Sequence, residues 1–98
     1  LDVPVGRIVY TQMLNRRGGI EADVTVTRLS ETAFLVVTAG AHLQRDLAWI
    51  RRHVGDAFAV VTDVSAGEAV FVVMGPEARD LLRQVTPDDL SNEGFPFG

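Results

Sequence analysis

The chain has 98 residues, of which 47% are hydrophobic and 22% are charged, so it can form one domain with a buried core but not a two-domain enzyme. Thirteen acidic and nine basic residues give a net charge of −4, which argues against a nucleic-acid partner because phosphate binding needs clustered positive charge. Cysteine and lysine are both absent, which excludes disulfides, thiolate nucleophiles, cysteine-ligated zinc and lysine Schiff bases.

Neither end of the sequence looks like a membrane or export signal. No apolar stretch approaches the roughly 20 residues that a membrane-spanning helix needs, so we expect a soluble protein with no membrane partner. The sequence begins at Leu1 without an initiator Met and ends in an apolar stretch at residues 95–98. We interpret residues 1–98 as a single segment of a longer chain.

Three strands are predicted first. Residues 5–14 are rich in β-branched side chains, the turn sequence Asn-Arg-Arg-Gly-Gly follows at residues 15–19, and residues 20–27 alternate between apolar and polar side chains. This pattern predicts a hairpin whose second strand has an apolar face and a polar face. Residues 33–38 form a short apolar run, which is typical of a central strand.

A helix, a second hairpin and another helix are predicted next. An apolar stripe with helical spacing runs from residue 42 to residue 54, and Gly55 is placed to end that helix. Residues 58–64 and 68–74 predict two strands joined across residues 65–67. After Pro76, the second helix has a predicted buried stripe formed by Ala78, Leu81, Leu82 and Val85.

The order β-β-β-α-β-β-α predicts an α+β fold, with a largely antiparallel sheet and helices on one of its faces. The arrangement that we expect is a ferredoxin-like plait with an extra β-hairpin.

Candidate chemistry is concentrated on the polar face of the second strand. Glu21 and Asp23 lie two positions apart, so their carboxylates share a face and could act as an acid and base pair. Acidic residues on the solvent side of a strand are also common without any function, and Tyr10 could equally be a half-buried sheet aromatic. His42 and His53 are about 16 Å apart along a helix, so no metal site is expected.

The assembled sequence resembles a known family. Residues 10–26 (YTQMLNRRGGIEADVTV), 34–40 (FLVVTAG), 45–50 (RDLAWI) and 74–78 (MGPEA) resemble the folate-binding aminomethyltransferases of the glycine-cleavage T-protein type. Residues 89–97 (DLSNEGFPF) resemble the C-terminal folate domains of sarcosine and dimethylglycine dehydrogenases or oxidases. In that branch a separate flavin domain oxidises an N-methyl amine, and tetrahydrofolate captures the one-carbon unit.

The resemblance also implies functional residues. Asp23 matches the family acid that orients the folate and supports its reacting nitrogen, so it is the predicted catalytic and cofactor-binding residue. Tyr10 matches a tyrosine near the pterin, and Thr25 matches a residue that lines the pocket. Thr38 is a fourth cofactor-binding candidate, although many T-proteins carry Asn after the Val-Val pair where this chain has Thr38 and Ala39. Loss of that Asn removes one expected hydrogen bond to the pterin.

The hairpin provides a geometric test of this assignment. If Leu14 pairs with Ile20 in a regular ladder, Tyr10 lies opposite Val24 and points away from Asp23. Both side chains can line one site only if the register shifts by one residue. The sequence therefore predicts a bulge or loop between residues 14 and 23.

The resemblance favours a tetrahydrofolate-binding part of a one-carbon transfer domain in a cytoplasmic enzyme, with FAD bound only in the longer parent chain and the remaining subdomains of that enzyme as partners. Two alternatives stay open: a non-catalytic regulatory or iron–sulfur-maintenance protein of the same superfamily, and a ferredoxin-like interaction module. A Gly-x-Gly-x-x-Gly flavin fingerprint upstream would favour the oxidase branch.

Overall fold

An antiparallel sheet in the order β1-β2-β3 occupies the first part of the chain, with strands β1 (Ile8–Leu14), β2 (Ile20–Arg28) and β3 (Phe34–Val37). It is seen in a computed structural model that describes residues 1–98. The three strands lie close to the predicted ranges, although β1 begins three residues later than predicted.

The alternation of β2 determines where the core lies. Ala22, Val24 and Val26 are buried on one face and pack with the half-buried Met13 of β1. The other face carries the polar positions of β2, as the pattern predicted, because successive side chains of a strand point to opposite sides. The predicted site residue Asp23 therefore lies on the face opposite the core.

Helix α1 (Leu43–Val54) follows β3 after a short 3-10 turn at Gly40–His42. It ends at Gly55, whose φ of 55° lies in the left-handed region that favours glycine, as the sequence predicted. One charged side chain of α1 is buried, that of Asp46, which is 2% exposed. With its partners, described below, Asp46 joins this helix to the end of β3.

The chain divides into two units, Leu1–Asp63 and Val64–Gly98. The second unit contains a 3-10 turn at Ser65–Gly67 and the short helix α2 (Ala78–Leu82). Within this unit Leu90 is buried, and the Arg79 side chain donates a hydrogen bond to its carbonyl. Neither α1 nor α2 has the length and apolar character needed to cross a membrane.

The second predicted hairpin is wrong. Residues 58–64 and 68–74 form no strand, and their apolar side chains are largely exposed, with Val60 at 92% and Met74 at 85%. These residues have a high β propensity, but a strand also needs a neighbour to bond with, and the sheet contains only β1, β2 and β3. The buried stripe predicted for the second helix is wrong in part as well, because Leu81 and Val85 are exposed.

The α+β class and the antiparallel sheet are confirmed. The order observed is β-β-β-α-α, so the two further strands of the predicted ferredoxin-like plait are not formed. The β1-β2-β3 meander is what positions the candidate site.

Candidate functional site

Tyr10, Asp23 and Thr25 lie on one face of the sheet. Tyr10 is directly opposite Thr25 in the β1–β2 ladder, and Asp23 is two residues before Thr25 on the same strand. Opposed residues of an antiparallel pair share a face, as do residues two apart on one strand. The Tyr10 hydroxyl donates a hydrogen bond to Asp23 Oδ2 over 2.8 Å. The structure thus joins the two residues that were the principal site candidates.

A β-bulge makes this arrangement possible. Leu14 pairs with Ile20, but Met13 pairs with Ala22, so Glu21 is an extra residue in β2. Without it the ladder would place Tyr10 opposite Val24, on the wrong face. The irregularity predicted between residues 14 and 23 is confirmed.

The turn before the bulge is organised by Asn15. Its Oδ1 accepts hydrogen bonds from the backbone N–H groups of Arg17 (2.9 Å) and Gly19 (3.0 Å), as is typical of asparagine in turns. Its Nδ2 donates to Glu21 Oε1 over 2.8 Å. Gly18 has a φ of 77°, which is readily available to glycine. Asn15 therefore links the turn to the bulge residue through its side chain.

The backbone of the bulge residue is contacted from helix α1. Arg45 Nη2 donates to the carbonyl oxygen of Glu21 over 2.9 Å, and Arg45 Nε donates to Asp46 Oδ1 over 3.0 Å. The second oxygen of Asp46 accepts a short hydrogen bond from the Thr38 hydroxyl. A continuous chain of contacts thus runs from Thr38, at the end of β3, through Asp46 and Arg45 to Glu21.

Thr38 is therefore placed beside Asp46, whereas Tyr10 and Asp23 bond to each other. Its predicted role in cofactor binding stays a prediction, but its hydroxyl already has a partner within the protein. Thr25 is half-buried on the same face as Tyr10, directly opposite Val37 of β3, which is 40% exposed. That face presents apolar and polar groups side by side.

This sheet face is open to solvent. Tyr10 is 67% exposed, and Asp23 is also exposed. A groove of about 410 Å³ lies around α2, and another of about 380 Å³ lies beside the hairpin turn, but neither is lined by Tyr10 or Asp23. Tyr10 and Asp23 therefore lie on an exposed part of the sheet, outside both of these grooves.

The electrostatics of the site centre on the Tyr10 phenol. The hydrogen bond to Asp23 raises the pKa of Tyr10 above its ordinary value, and the negative charge of Asp23 and partial desolvation raise it further. The hydroxyl therefore stays protonated as a donor throughout the neutral range. Asp23 has acceptor capacity beyond this bond, since a carboxylate provides about four lone-pair sites.

Asp46 is the second perturbed group near the site. Desolvation raises its pKa, but the hydrogen bonds from Thr38 and Arg45 and the positive charge of Arg45 outweigh that effect, so the pKa lies below its ordinary value. Asp46 therefore remains a charged acceptor. Nowhere do three His, Cys, Asp or Glu side chains come together as a metal ion would require.

Sequence reasoning missed Asn15, Arg45 and Asp46. Asn15 had a local signal, because asparagine four residues before glycine can cap a turn, although its reach to Glu21 lies beyond that signal. Arg45 meets the bulge across 24 positions, and a contact of that range leaves no periodic trace in the sequence.

The whole chain, residues 1–98, matches the family model described as the GCVT N-terminal domain. Over 93 residues it is 43% identical to a 4-methylaminobutanoate oxidase (formaldehyde-forming) of Paenarthrobacter nicotinovorans, covering 95% of this chain and 11% of that protein. It is 32% identical to an aminomethyltransferase of Thermotoga neapolitana, covering 95% of this chain and 26% of that protein.

Mitochondrial sarcosine dehydrogenase of Mus musculus is 35% identical over 109 residues, which cover 96% of this chain and 12% of that protein. The chain thus spans about a tenth to a quarter of the length of these curated relatives. No solved structure gives a significant match. The family model and these relatives confirm the family and the branch that the sequence predicted.

Proposed function

Because the chain belongs to the GCVT N-terminal domain family, we propose that the sheet face carrying Tyr10 and Asp23 binds tetrahydrofolate and takes part in one-carbon transfer. The observation that carries this proposal is the hydrogen bond between Tyr10 and Asp23, which the bulge at Glu21 makes possible. An aromatic ring and a carboxylate side by side suit a flat ligand with polar N–H edges.

Each group has a distinct part in this proposal. The exposed ring of Tyr10 packs against the flat pterin ring, while its hydroxyl fixes one oxygen of Asp23. The remaining lone pairs of Asp23 accept from the ligand and stabilise the positive charge that develops on its reacting nitrogen during transfer. Thr25 and Val37 extend the surface on the same face.

Additional protein is needed to complete the site. Because Tyr10 is 67% exposed, a ligand on this face is half solvated, and water weakens the interaction of Asp23 with a developing cation. We propose that further subdomains of a longer enzyme cover the face, as expected for a domain whose curated relatives are several times longer. The isolated 98-residue chain then binds tetrahydrofolate only weakly.

The wider reaction is proposed from the branch. The relatives include a protein named 4-methylaminobutanoate oxidase and one named sarcosine dehydrogenase, so we propose an N-methyl amine as the source of the one-carbon unit. The oxidation itself belongs to a separate FAD domain, and none of the residues of this chain are assigned to it. A cytoplasmic location goes with this proposal.

Titration of the 98-residue chain with tetrahydrofolate, followed by amide NMR shifts, tests the binding step. We expect shifts confined to the neighbourhood of Tyr10, Asp23 and Thr25, with a dissociation constant above the micromolar range. Asp23→Asn should abolish them, and Asp56→Asn, which removes an exposed carboxylate elsewhere, should leave them unchanged. Shifts that survive Asp23→Asn, or that cluster elsewhere, would contradict the proposed site.

The transfer step is tested in an enzyme that contains this domain together with its flavin domain. Asp23→Asn should sharply reduce the formation of methylenetetrahydrofolate and leave flavin reduction by the amine unchanged. Equal loss of both activities would assign Asp23 a structural role. Tetrahydrofolate binding without any transfer by the unmodified enzyme would favour the regulatory alternative.

A further inference from the structure

We propose that Arg45 is a positioning residue, which fixes the β-bulge at Glu21 and thereby holds Asp23 beside Tyr10. Only its consequence for folate rests on the proposed function. The structural part concerns the register of β1 and β2, which is observable without any ligand. The hydrogen bonds and ion pair of Arg45 go to Glu21 and Asp46, not to Tyr10 or Asp23, so it acts on that pair through the ladder.

The bulge needs support because the alternative register is close in geometry. If Glu21 re-entered the ladder, a shift of one residue would move Tyr10 from a position opposite Thr25 to one opposite Val24. Asp23 would then project from the face opposite Tyr10. An extra residue in a strand is left unpaired in the ladder, so its polar groups need other partners if the bulge is to persist.

Arg45 provides one such partner. Its Nη2 donates to the carbonyl oxygen of Glu21 over 2.9 Å, while its Nε donates to Asp46 Oδ1 over 3.0 Å. The planar guanidinium holds both bonds at once from different nitrogens, which the single ammonium of a lysine cannot do in the same geometry. Asn15 binds the side chain of Glu21, because its Nδ2 donates to Glu21 Oε1.

The Arg45 guanidinium is itself held in place by Asp46. Asp46 is 2% exposed, and its two oxygens have separate partners, Arg45 on Oδ1 and Thr38 on Oδ2. Thr38 directly follows β3, so the Asp46 carboxylate is fixed relative to the sheet. This gives Thr38 a role that the sequence did not predict: it positions Asp46, and through it the arginine that contacts the bulge.

Tyr10 is the only tyrosine of the chain, so the pH titration of phenol absorbance follows Tyr10 without overlap, and its pKa is sensitive to the hydrogen bond with Asp23 and to the nearness of that carboxylate. The test compares Arg45→Met with Arg51→Met, which removes an exposed arginine from the same helix that does not line the groove beside Glu21. We expect Arg45→Met to move the phenol pKa down towards its ordinary value near 10 and to erase the cross-strand NOEs between Tyr10 and Thr25. Arg51→Met should change neither.

Two milder variants decide the matter if Arg45→Met does not fold. Thr38→Val replaces the hydroxyl with a methyl group and should shift the phenol pKa in the same direction by a smaller amount. Thr38→Ser keeps the hydroxyl and should leave the phenol pKa at its native value. An unchanged phenol titration and unchanged NOEs in folded Arg45→Met or Thr38→Val would overturn the proposal. These measurements are made without folate, so a failure of the chain to bind folate would not change their outcome. Conversely, an intact bulge in these variants would overturn only the role of Arg45 and not the proposed function.

Discussion

Tyr10 Oη lies 2.8 Å from Asp23 Oδ2, which joins two residues that stand 13 positions apart and are diagonal neighbours across the ladder. A diagonal pair of this kind is within reach of a long aromatic side chain only when both residues share a face. The contact therefore depends on the register of the hairpin as much as on the two side chains themselves.

We expect the phenol of Tyr10 to titrate above its ordinary pKa and Asp23→Asn to lower that value. Deprotonation removes the donor of the hydrogen bond and places a second negative charge beside Asp23, so both effects oppose it. Because the folded-state pKa is raised, this contribution to stability is complete below about pH 10 and is lost as the pH rises through the folded value. Absorbance of the phenolate measures the pKa of Tyr10 in the unmodified and Asp23→Asn proteins, with Asp56→Asn as the control.

Asn15→Ala should lower the free energy of unfolding by about 1–2 kcal/mol, because it removes hydrogen bonds to two backbone N–H groups and to Glu21. Asn15→Asp should retain the backbone bonds but lose the donor to Glu21, and it sets two carboxylates against each other. Adding Glu21→Gln to Asn15→Asp supplies a donor again and should recover part of the loss. Urea unfolding measures each variant, and equal stability of all of them would contradict this role of Asn15.

The strands and the bulge could be predicted from sequence for two different reasons. The alternation of β2 is a local pattern, and burial of Ala22, Val24 and Val26 follows from it. The bulge follows from the requirement that Tyr10 and Asp23 share a face. That requirement gives the register of β1 and β2, but it does not say which contacts stabilise the bulge. The cause involves Arg45, and a contact across 24 positions cannot be deduced from spacing.

The wrong second hairpin shows the limit of β propensity. Residues 69–74 are as apolar as β3, but β3 has β2 as its neighbour, and residues 68–74 are paired with no strand. Propensity expresses how well a side chain suits a pleated surface, while pairing depends on which partner is present. Thr38 illustrates the same limit at the site, since its partner Asp46 lies on a helix that pattern reasoning treats separately.

Protonation of Asp46 in acid should lower the free energy of unfolding of the first unit, Leu1–Asp63. Its folded-state pKa is lowered, so its contribution is fully present above the unfolded value of about 3.9 and is lost as the pH falls through the folded value. Asp46→Asn should cost roughly 1–3 kcal/mol at neutral pH, because a buried amide has one acceptor oxygen and cannot accept from both Thr38 and Arg45. Urea unfolding of the unmodified and Asp46→Asn proteins should show the difference between their free energies of unfolding becoming smaller from neutral pH to about pH 3. A difference that is constant with pH would contradict this assignment.

Gly94 should accept a side chain only at the cost of displacing Asp89, although its backbone conformation is ordinary. Asp89 accepts hydrogen bonds from the backbone N–H (2.9 Å) and hydroxyl (3.0 Å) of Ser91, and Gly94 donates its N–H to the same hydroxyl over 3.1 Å. A Cβ on Gly94 would collide with the Asp89 carboxylate. Gly94→Ala therefore forces Asp89 away from Ser91 and breaks the hydrogen-bonded turn.

Gly67→Ala is the matched control, because a Cβ at Gly67 meets nothing within 4 Å and the residue lies in the same unit, Val64–Gly98. We expect Gly94→Ala to destabilise the protein by about 1 kcal/mol, whereas Gly67→Ala should be neutral or slightly stabilising because alanine restricts the unfolded chain. Loss of the hydrogen bonds from Ser91 should also raise the pKa of Asp89, which they hold below its ordinary value. Carboxyl NMR titration detects that shift, and a Gly94→Ala protein with the native Asp89 titration would show that the carboxylate moves aside without leaving Ser91.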